Sequence, residues 1–196
     1  PAEGECLIKM EELSICGSDI HNVYIHALPE ERYPLEIGAP NHECAGTVVE
    51  SRSEEFREGQ RVIVLPSGRG GLVEYMTSAP GRMIAVPDHG DLAEWVMCQH
   101  SGTVLYSCQR MGNVLGKVVV IFGQGGIGQS FTMITSRQGA REVIAVDPLD
   151  YRLELSKKSG ATLTVNPDRE NVDEVVREVT GGNGADIVVE AAGNNE

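Results

Sequence analysis

The stretch VVVIFGQGGIGQ, residues 118–129, decides the fold of this 196-residue chain. Its first five residues form a continuous apolar run, typical of a strand that is buried on both faces of a sheet. Gly123, Gly125 and Gly128 follow in G-x-G-x-x-G register, ahead of a helix-length segment. This spacing predicts a tight turn at the first glycine, close approach of a phosphate at the second, and helix–strand packing at the third. It therefore predicts a dinucleotide site at a helix N-terminus.

The residue that closes the next strand supports this interpretation. Asp147 ends the run EVIAVD, 19 residues after the last glycine of the motif. A carboxylate there would accept hydrogen bonds from the adenosine ribose and repel a 2′-phosphate, so NAD is favoured over NADP. We also expect cofactor contacts from Gly126, Ile127 and Arg152. The alternatives are that the glycines serve packing only and that Asp147 merely opens a turn.

Further strands and helices follow the motif in alternation. Apolar runs at 142–147, 161–167 and 186–193 are separated by helix-length segments. Such alternation predicts a parallel sheet with crossover helices. Four strands are fewer than the six of a complete dinucleotide fold, so residues 113–196 are interpreted as a partial Rossmann doubly wound sheet.

The first part of the chain has a different pattern. Short β-like runs between residues 5 and 86, separated by glycine, proline and charge, predict a mainly antiparallel β domain. A helix is predicted over 91–110, which gives an α/β chain with domains at 1–112 and 113–196. Because the sequence begins without methionine and stops just past an apolar run, we expect a fragment of a longer polypeptide. Residues 1–196 alone are expected to be weakly stable and inactive.

Composition excludes several kinds of partner. The chain has 16 basic and 29 acidic residues and a net charge of −13, which argues against nucleic-acid and anionic-membrane binding. No apolar run approaches the roughly 18 residues of a membrane span, so a cytoplasmic protein is predicted. The 5 cysteines are odd in number and irregularly spaced, which indicates reduced thiols that are free to bind metal.

Two short stretches concentrate residues that can bind metal or transfer protons. SICGSDIHN, residues 14–22, holds four of them within six positions: Cys16, Ser18, Asp19 and His21. GAPNHECAG, residues 38–46, places His42 next to Glu43. A polar turn and an ordinary surface pair are the alternatives to a metal site.

Together with the Rossmann motif, these stretches resemble the zinc-dependent medium-chain dehydrogenase/reductase family of alcohol, polyol and threonine dehydrogenases. Six segments occur in the family's order over nearly the whole chain: CGSDIH, HECAG, EGQRV, GGLVEY, GQGGIG and VIAVD. The resemblance implies a GroES-like fold for the β domain, zinc and NAD as cofactors, and a small alcohol as substrate. It also implies a homo-oligomer when the protein is of full length.

The resemblance further implies that Cys16 and His42 bind a catalytic zinc. In polyol-type members Glu43 would be the third ligand, with water completing a tetrahedron. Other members take the third ligand from a later position, and counting back from the glycine motif places Cys98 or Gln99 there. Cys98 would be a good ligand or a buried structural thiol, and both interpretations stay open.

By the same resemblance, Ser18 takes the substrate's hydroxyl proton, which passes through the cofactor ribose toward His21 and solvent. Asp19 would orient a ligand, with His42 as the expected partner. His21 could instead face solvent without a proton role. Asn41 departs from the family, which has glycine before its His-Glu pair. No four-cysteine lobe is present, so one catalytic zinc and no structural zinc is expected.

The sequence therefore predicts a zinc- and NAD-dependent oxidoreductase that acts on a secondary alcohol, polyol or hydroxy amino acid. A zinc-independent NAD(P)H reductase of the same superfamily is one alternative. A non-catalytic nucleotide-binding protein is the other, because fold does not guarantee function.

Overall fold

A computed structural model describes residues 1–20, 28–66 and 70–193 of the chain, which divides into two compact units. The first unit is Pro1–Gln99 and the second is His100–Glu196. The sequence-based division after residue 112 stays a prediction. Within the described ranges, no helix is both long and apolar enough to cross a membrane.

The first unit is built on a five-stranded sheet in which every neighbouring pair is antiparallel, in the order β4-β1-β2-β3-β5. Its strands are β1 (Cys6–Ser14), β2 (Glu43–Ser51), β3 (Arg61–Val64), β4 (Tyr75–Ser78) and β5 (Met83–Ala85). Alternate residues point inward, so Cys6 and Ile8 of β1 are buried with Val48 and Val62 in one apolar cluster. The predicted antiparallel β domain is confirmed.

The helix predicted over 91–110 is two helices, α2 (Leu92–Val96) and α3 (Cys98–Met111). Asp91 caps the first helix, because its carboxylate accepts a hydrogen bond from the N–H of Ala93. Leu92 and Val96 pack in a cluster of the first unit, whereas Val104 and Cys108 pack in a cluster of the second. The two halves therefore pack in different hydrophobic cores, which the sequence of this segment did not indicate. A one-turn helix, α1 (Gly17–Ile20), follows β1.

The second unit is built on a four-stranded parallel sheet in the order β8-β7-β6-β9. Its strands are β6 (Val118–Phe122), β7 (Glu142–Val146), β8 (Leu163–Val165) and β9 (Ile187–Glu190), and its crossover helices are α4 (Gly126–Arg137), α5 (Asp150–Ser159) and α6 (Val172–Val179). This confirms the predicted strand–helix alternation. The strand order reverses between β6 and β9, and in such sheets ligands bind in the crevice at the carboxyl ends of the strands on either side of the reversal.

Candidate metal centre and nucleotide site

Antiparallel pairing of β1 with β2 brings the two predicted ligand segments side by side. Ser14, the last residue of β1, pairs with Glu43, the first residue of β2. The chain continues from Ser14 to Cys16 at this edge, and His42 directly precedes Glu43. Strand register therefore unites residues that lie 26 positions apart in sequence.

The ligand atoms of Cys16, His42 and Glu43 all lie within 4.8 Å of one another. This is the one group of three or more such residues in the part of the chain that the structure describes. Cys98 is not in the group and is exposed to solvent. The carboxylate of Glu43 is thus the third donor placed beside the thiol and the imidazole.

Asp19 holds both of its neighbouring candidate ligands in place. It is 5% exposed, and its Oδ1 lies 2.7 Å from Nδ1 of His42. Its Oδ2 accepts a hydrogen bond of 3.1 Å from the backbone N–H of Cys16. A carboxylate that receives the Nδ1 proton leaves Nε2 of a neutral imidazole free for a metal. Asp19 therefore lies in contact with His42, and its role in orienting a metal ligand stays a prediction.

The hydroxyl of Ser18 donates a hydrogen bond of 3.2 Å to Sγ of Cys16. The residue predicted to take a proton therefore lies directly beside a predicted ligand. His21, the other residue with a predicted proton role, lies outside the described residues.

The donor set fits a zinc ion. Glu43 is only 4% exposed. A buried carboxylate is costly to remove from water, and a cation bound to it would offset that cost. Thiolate, imidazole and carboxylate are donors that zinc accepts, and three protein donors leave a fourth tetrahedral position open.

A second cysteine nearby is not suited to bind this metal. Burial, followed by the negative charges of Asp19 and Glu43, raises the pKa of the Cys44 thiol to about 12. Because the thiolate is the form that binds metal, a thiol of this kind stays a hydrogen-bond donor. Its Sγ donates to Oδ1 of Asn41 at 2.8 Å.

In the second unit, each glycine of the motif has the packing environment that the sequence predicts. Gly123 has a φ of 84°, and a Cβ there would lie within 2.7 Å of backbone atoms of Ala191 and Ala192. A Cβ at Gly128 would overlap the carbonyl oxygen of Gly123. Gly125, which precedes α4, has no atom within 4 Å of its Cβ position. The first and third glycines therefore pack backbone against backbone, and the second leaves open space.

Asp147 is 2% exposed and is fixed by backbone groups at the end of β7. Its Oδ2 accepts a hydrogen bond of 2.7 Å from the N–H of Gln124, inside the glycine motif. Its Oδ1 accepts one of 2.9 Å from the N–H of Leu149. Nη1 of Arg152 lies 3.4 Å from Oδ2. The carboxylate is thus tied to the glycine loop and paired with one cation.

Four of the predicted cofactor residues line one cavity. A space of about 370 Å³ is lined by Gly123, Gly125, Asp147 and Arg152, within the range of small-molecule pockets. Gly126 and Ile127 form the first turn of α4, whose N–H groups favour an anion. The pKa of the Arg152 guanidinium is raised. The larger cause is its hydrogen bond to the Tyr151 hydroxyl, and the negative charge of Asp147 adds to it.

Sequence reasoning missed a buried polar network beneath this loop. The hydroxyls of Thr132 and Ser156 each donate a 2.9 Å hydrogen bond to Oε1 of Gln124. Nε2 of Gln129 also lies 2.9 Å from the Ser156 hydroxyl. These contacts join α4 and α5 to the motif. No signal identifies them in the sequence, because Gln124 and Gln129 occupy positions that the motif leaves free.

A histidine next to the same loop was also missed. Nε2 of His100 lies 3.3 Å from Oγ of Ser130, which donates a hydrogen bond to the carbonyl of Gly126. Because the Ser130 hydroxyl donates its one proton to the Gly126 carbonyl, Nε2 of His100 is the donor in its contact with Oγ of Ser130. His100 thereby supports the first turn of α4.

Two family models match the chain. The alcohol dehydrogenase GroES-like domain matches residues 2–108, and the zinc-binding dehydrogenase domain matches residues 126–196. The first range contains the metal group, and the second contains residues 126–128 of the nucleotide loop together with Asp147 and Arg152.

Known proteins similar to this chain carry related descriptions. An uncharacterised zinc-type alcohol dehydrogenase-like protein of Escherichia coli is 31% identical over 99% of this chain and 65% of its own length. An L-threonine 3-dehydrogenase of Caldanaerobacter subterraneus is 29% identical over 97% of this chain and 62% of its own length. A crystal structure of an E. coli oxidoreductase of unknown specificity matches with a TM-score of 0.89 and 29% identity, over 99% of this chain and 65% of that one. The chain thus spans less than two thirds of the length of these relatives.

Proposed function

The chain belongs to the zinc-dependent medium-chain dehydrogenase/reductase family, and from this membership we propose that it carries the zinc centre and dinucleotide site of an NAD-dependent alcohol dehydrogenase. The proposed reaction transfers a hydride between NAD and a secondary alcohol, polyol or hydroxy amino acid. The proposed active protein is a homo-oligomer.

One observation carries this proposal. Three side chains of the types that zinc accepts, Cys16, His42 and Glu43, have their donor atoms within 4.8 Å of one another. The carboxylate of Asp19 orients the imidazole among them. The buried carboxylate of Glu43 places a negative charge beside the thiol and the imidazole, where a bound cation would balance it.

The residues divide the work as follows. Cys16, His42 and Glu43 would hold the zinc ion, which would supply Lewis-acid chemistry that lowers the pKa of an alcohol hydroxyl. Asp19 keeps the proton on Nδ1 of His42, which would leave Nε2 available as a ligand. Ser18 accepts the substrate's hydroxyl proton and passes it toward His21. Its present hydrogen bond to Sγ of Cys16 holds the hydroxyl at the site until substrate arrives.

Asp147 and Arg152 set the choice of cofactor. The carboxylate accepts hydrogen bonds from the ribose and repels a 2′-phosphate, which favours NAD. Arg152 lies 3.4 Å from that carboxylate and offsets part of its charge. We therefore propose NAD as the preferred cofactor, with weaker NADP binding.

Zinc content tests the metal part of the proposal. The purified chain should retain one zinc ion after dialysis, and Cys16→Ala should lose it. Cys98→Ala is the matched control, because this exposed cysteine lies outside the ligand group. Absence of zinc in the wild type, or unchanged zinc in Cys16→Ala, would refute the proposal.

Cofactor binding tests the second part independently. NADH should bind with a measurable change in its fluorescence, and NADPH should bind more weakly. Turnover is scored separately from binding and on the full-length protein, because residues 1–196 by themselves are predicted to be inactive. A panel of secondary alcohols, polyols and hydroxy amino acids then identifies the substrate class. A preference for NADPH together with alkene reduction and no alcohol oxidation would favour the reductase alternative.

A further inference from the structure

Asn41 is a polar residue that is only 2% exposed, and it directly precedes the proposed zinc ligand His42. Glycine stands at this position in the family pattern noted above, so the family backbone needs no side chain here. A buried amide costs free energy unless both its donor and its acceptor are paired. The partners of this side chain therefore indicate its role.

The two ends of the Asn41 amide bind to different strands. Nδ2 donates to the backbone carbonyl of Ser14, the last residue of β1, at 2.5 Å. Cys16 follows two residues later. Oδ1 accepts a hydrogen bond of 2.8 Å from the thiol of Cys44, which follows Glu43 in β2. A single side chain thus joins the strand end that leads to the thiolate with the strand that carries the carboxylate.

The segment that carries Asn41 is itself closely packed. Its backbone carbonyl accepts a hydrogen bond of 2.8 Å from the N–H of Gly71, and the carbonyl of Gly38 accepts one of 2.9 Å from Leu72. A Cβ at Gly71 would overlap Sγ of Cys44 and lie 2.8 Å from Oδ1 of Asn41. The amide is therefore enclosed by β1, β2 and residues 70–72, which leaves it little freedom.

We propose that Asn41 is a positioning residue that sets the spacing of Cys16 relative to His42 and Glu43. This inference rests on the proposed zinc centre. With the amide removed, the Ser14 carbonyl and the Cys44 thiol lose their shared partner, and the β1–β2 pairing, which ends at Ser14 and Glu43, is left to set the spacing of the ligands. Loss of supporting contacts around metal ligands typically lowers metal affinity by about 10- to 100-fold.

Asn41→Ala tests the inference, with Asn166→Ala as the matched control. Asn166 is a buried asparagine of the second unit, 3% exposed, that donates to the carbonyl of Pro148 and accepts from the N–H of Asp168. Both variants lose a buried, paired amide, but only Asn41 lies beside the ligand group. Zinc affinity is measured by competition with a chromophoric chelator. The thiolate-to-metal and ligand-field absorption bands of the cobalt-substituted chain report ligand geometry.

We expect Asn41→Ala to lower zinc affinity about tenfold or more and to weaken or shift the cobalt bands. Asn166→Ala should lower the unfolding temperature yet leave zinc affinity within about twofold of wild type, because its partners Pro148 and Asp168 are not shared with the ligand group. Unchanged zinc affinity in Asn41→Ala would overturn the inference, as would an equal loss in both variants.

A second pair of variants covers the case in which Asn41→Ala does not fold. Cys44→Ala removes the thiol that donates to Asn41, and Cys44→Ser supplies a hydroxyl donor in its place. Cys44→Ser should bind zinc more tightly than Cys44→Ala, and equal affinities would overturn the inference. If the wild type binds no zinc, or if Cys16→Ala still binds it, the proposed function fails as well. If zinc binding depends on Cys16 but not on Asn41, only the positioning role fails.

Discussion

In the second unit the candidate nucleotide loop is one continuous stretch, residues 123–128. In the first unit, by contrast, the candidate zinc ligands come from the ends of two strands, and Cys16 and His42 are 26 positions apart in the sequence. The nucleotide loop is shaped by backbone groups that touch where glycines omit side chains. The zinc centre is shaped by side chains, with Asp19 and Asn41 connecting its two segments.

This difference teaches which kind of change each site tolerates. A site built from close backbone contacts should fail when volume is added. A site built from paired polar side chains should fail when a group is removed, because its partners are left unpaired. Four substitutions test this contrast, beginning with the largest expected effect.

Gly128→Ala should destabilise the second unit most strongly. The added methyl overlaps the carbonyl of Gly123, and overpacking of this kind costs about 3 kcal/mol. Gly125→Ala is the control, because its Cβ position is open; its stability should stay within about 0.5 kcal/mol of wild type. Urea unfolding measures the stability of both variants. NADH titration should also show that Gly125→Ala binds the cofactor more weakly than wild type does. Equal stability of the two variants would mean that the loop does not depend on close packing.

Glu43→Gln should change metal affinity and metal-free stability in different directions. Loss of the carboxylate should lower zinc affinity about a hundredfold, or about 2.7 kcal/mol. The metal-free variant should be as stable as the metal-free wild type or more stable, because a buried charge is replaced by a neutral amide of similar shape. Chelator competition and urea unfolding in the absence of metal give the two values. A large loss of metal-free stability would show that Glu43 has a structural partner instead.

Asp147→Asn should shift cofactor preference about tenfold toward NADPH, equivalent to about 1.4 kcal/mol. The neutral amide no longer repels a 2′-phosphate, and Arg152 is released to attract it. Asp150→Asn, three residues further along and exposed, is the control and should leave the preference unchanged. The ratio of NADH to NADPH dissociation constants decides the matter. An unchanged ratio in Asp147→Asn would place the determinant elsewhere.

The smallest effect is expected from Asp150 itself. Hydrogen bonds from Arg169 and then Asn166 lower the pKa of the Asp150 carboxyl to about 2 from the usual 3.8. The stabilisation is fully present above about pH 4 and is lost as the pH falls through about 2, because the unfolded chain takes up the proton first. Wild type should therefore be slightly more stable than Asp150→Asn at pH 7, and the difference should vanish near pH 2. Salt should reduce it, since the pair is exposed. A difference that persists at pH 2 would contradict this assignment.

Local features of the sequence predicted much of the molecule. The apolar run at 118–122 predicted a buried strand of the parallel sheet, and the spacing of the glycines that follow it predicted the packing of the loop. Both features depend on residues that are close together in the sequence. Resemblance to a family grouped Cys16 with His42, and β1–β2 register then placed them together.

Features that depend on tertiary contacts could not be predicted in this way. The helix predicted over 91–110 breaks because its two halves pack in different cores. In the sequence, Asn41 is only a departure from the family pattern. In the structure, its amide forms hydrogen bonds with two strands that are brought together by the folded sheet. Gln124 likewise sits at a free position of the glycine motif, and its role depends on hydroxyls of α4 and α5.

The tight contact among Gly71, Cys44 and Asn41 has a consequence for how this protein can change over evolutionary time. A side chain at 71 collides with the sulfur at 44, so alanine at 71 becomes acceptable only after that sulfur has been lost, for example through alanine at 44. That step in turn removes the donor on which the amide at 41 relies. The three positions should therefore covary, and a homologue with a larger residue at 71 should carry compensatory replacements at both of the others.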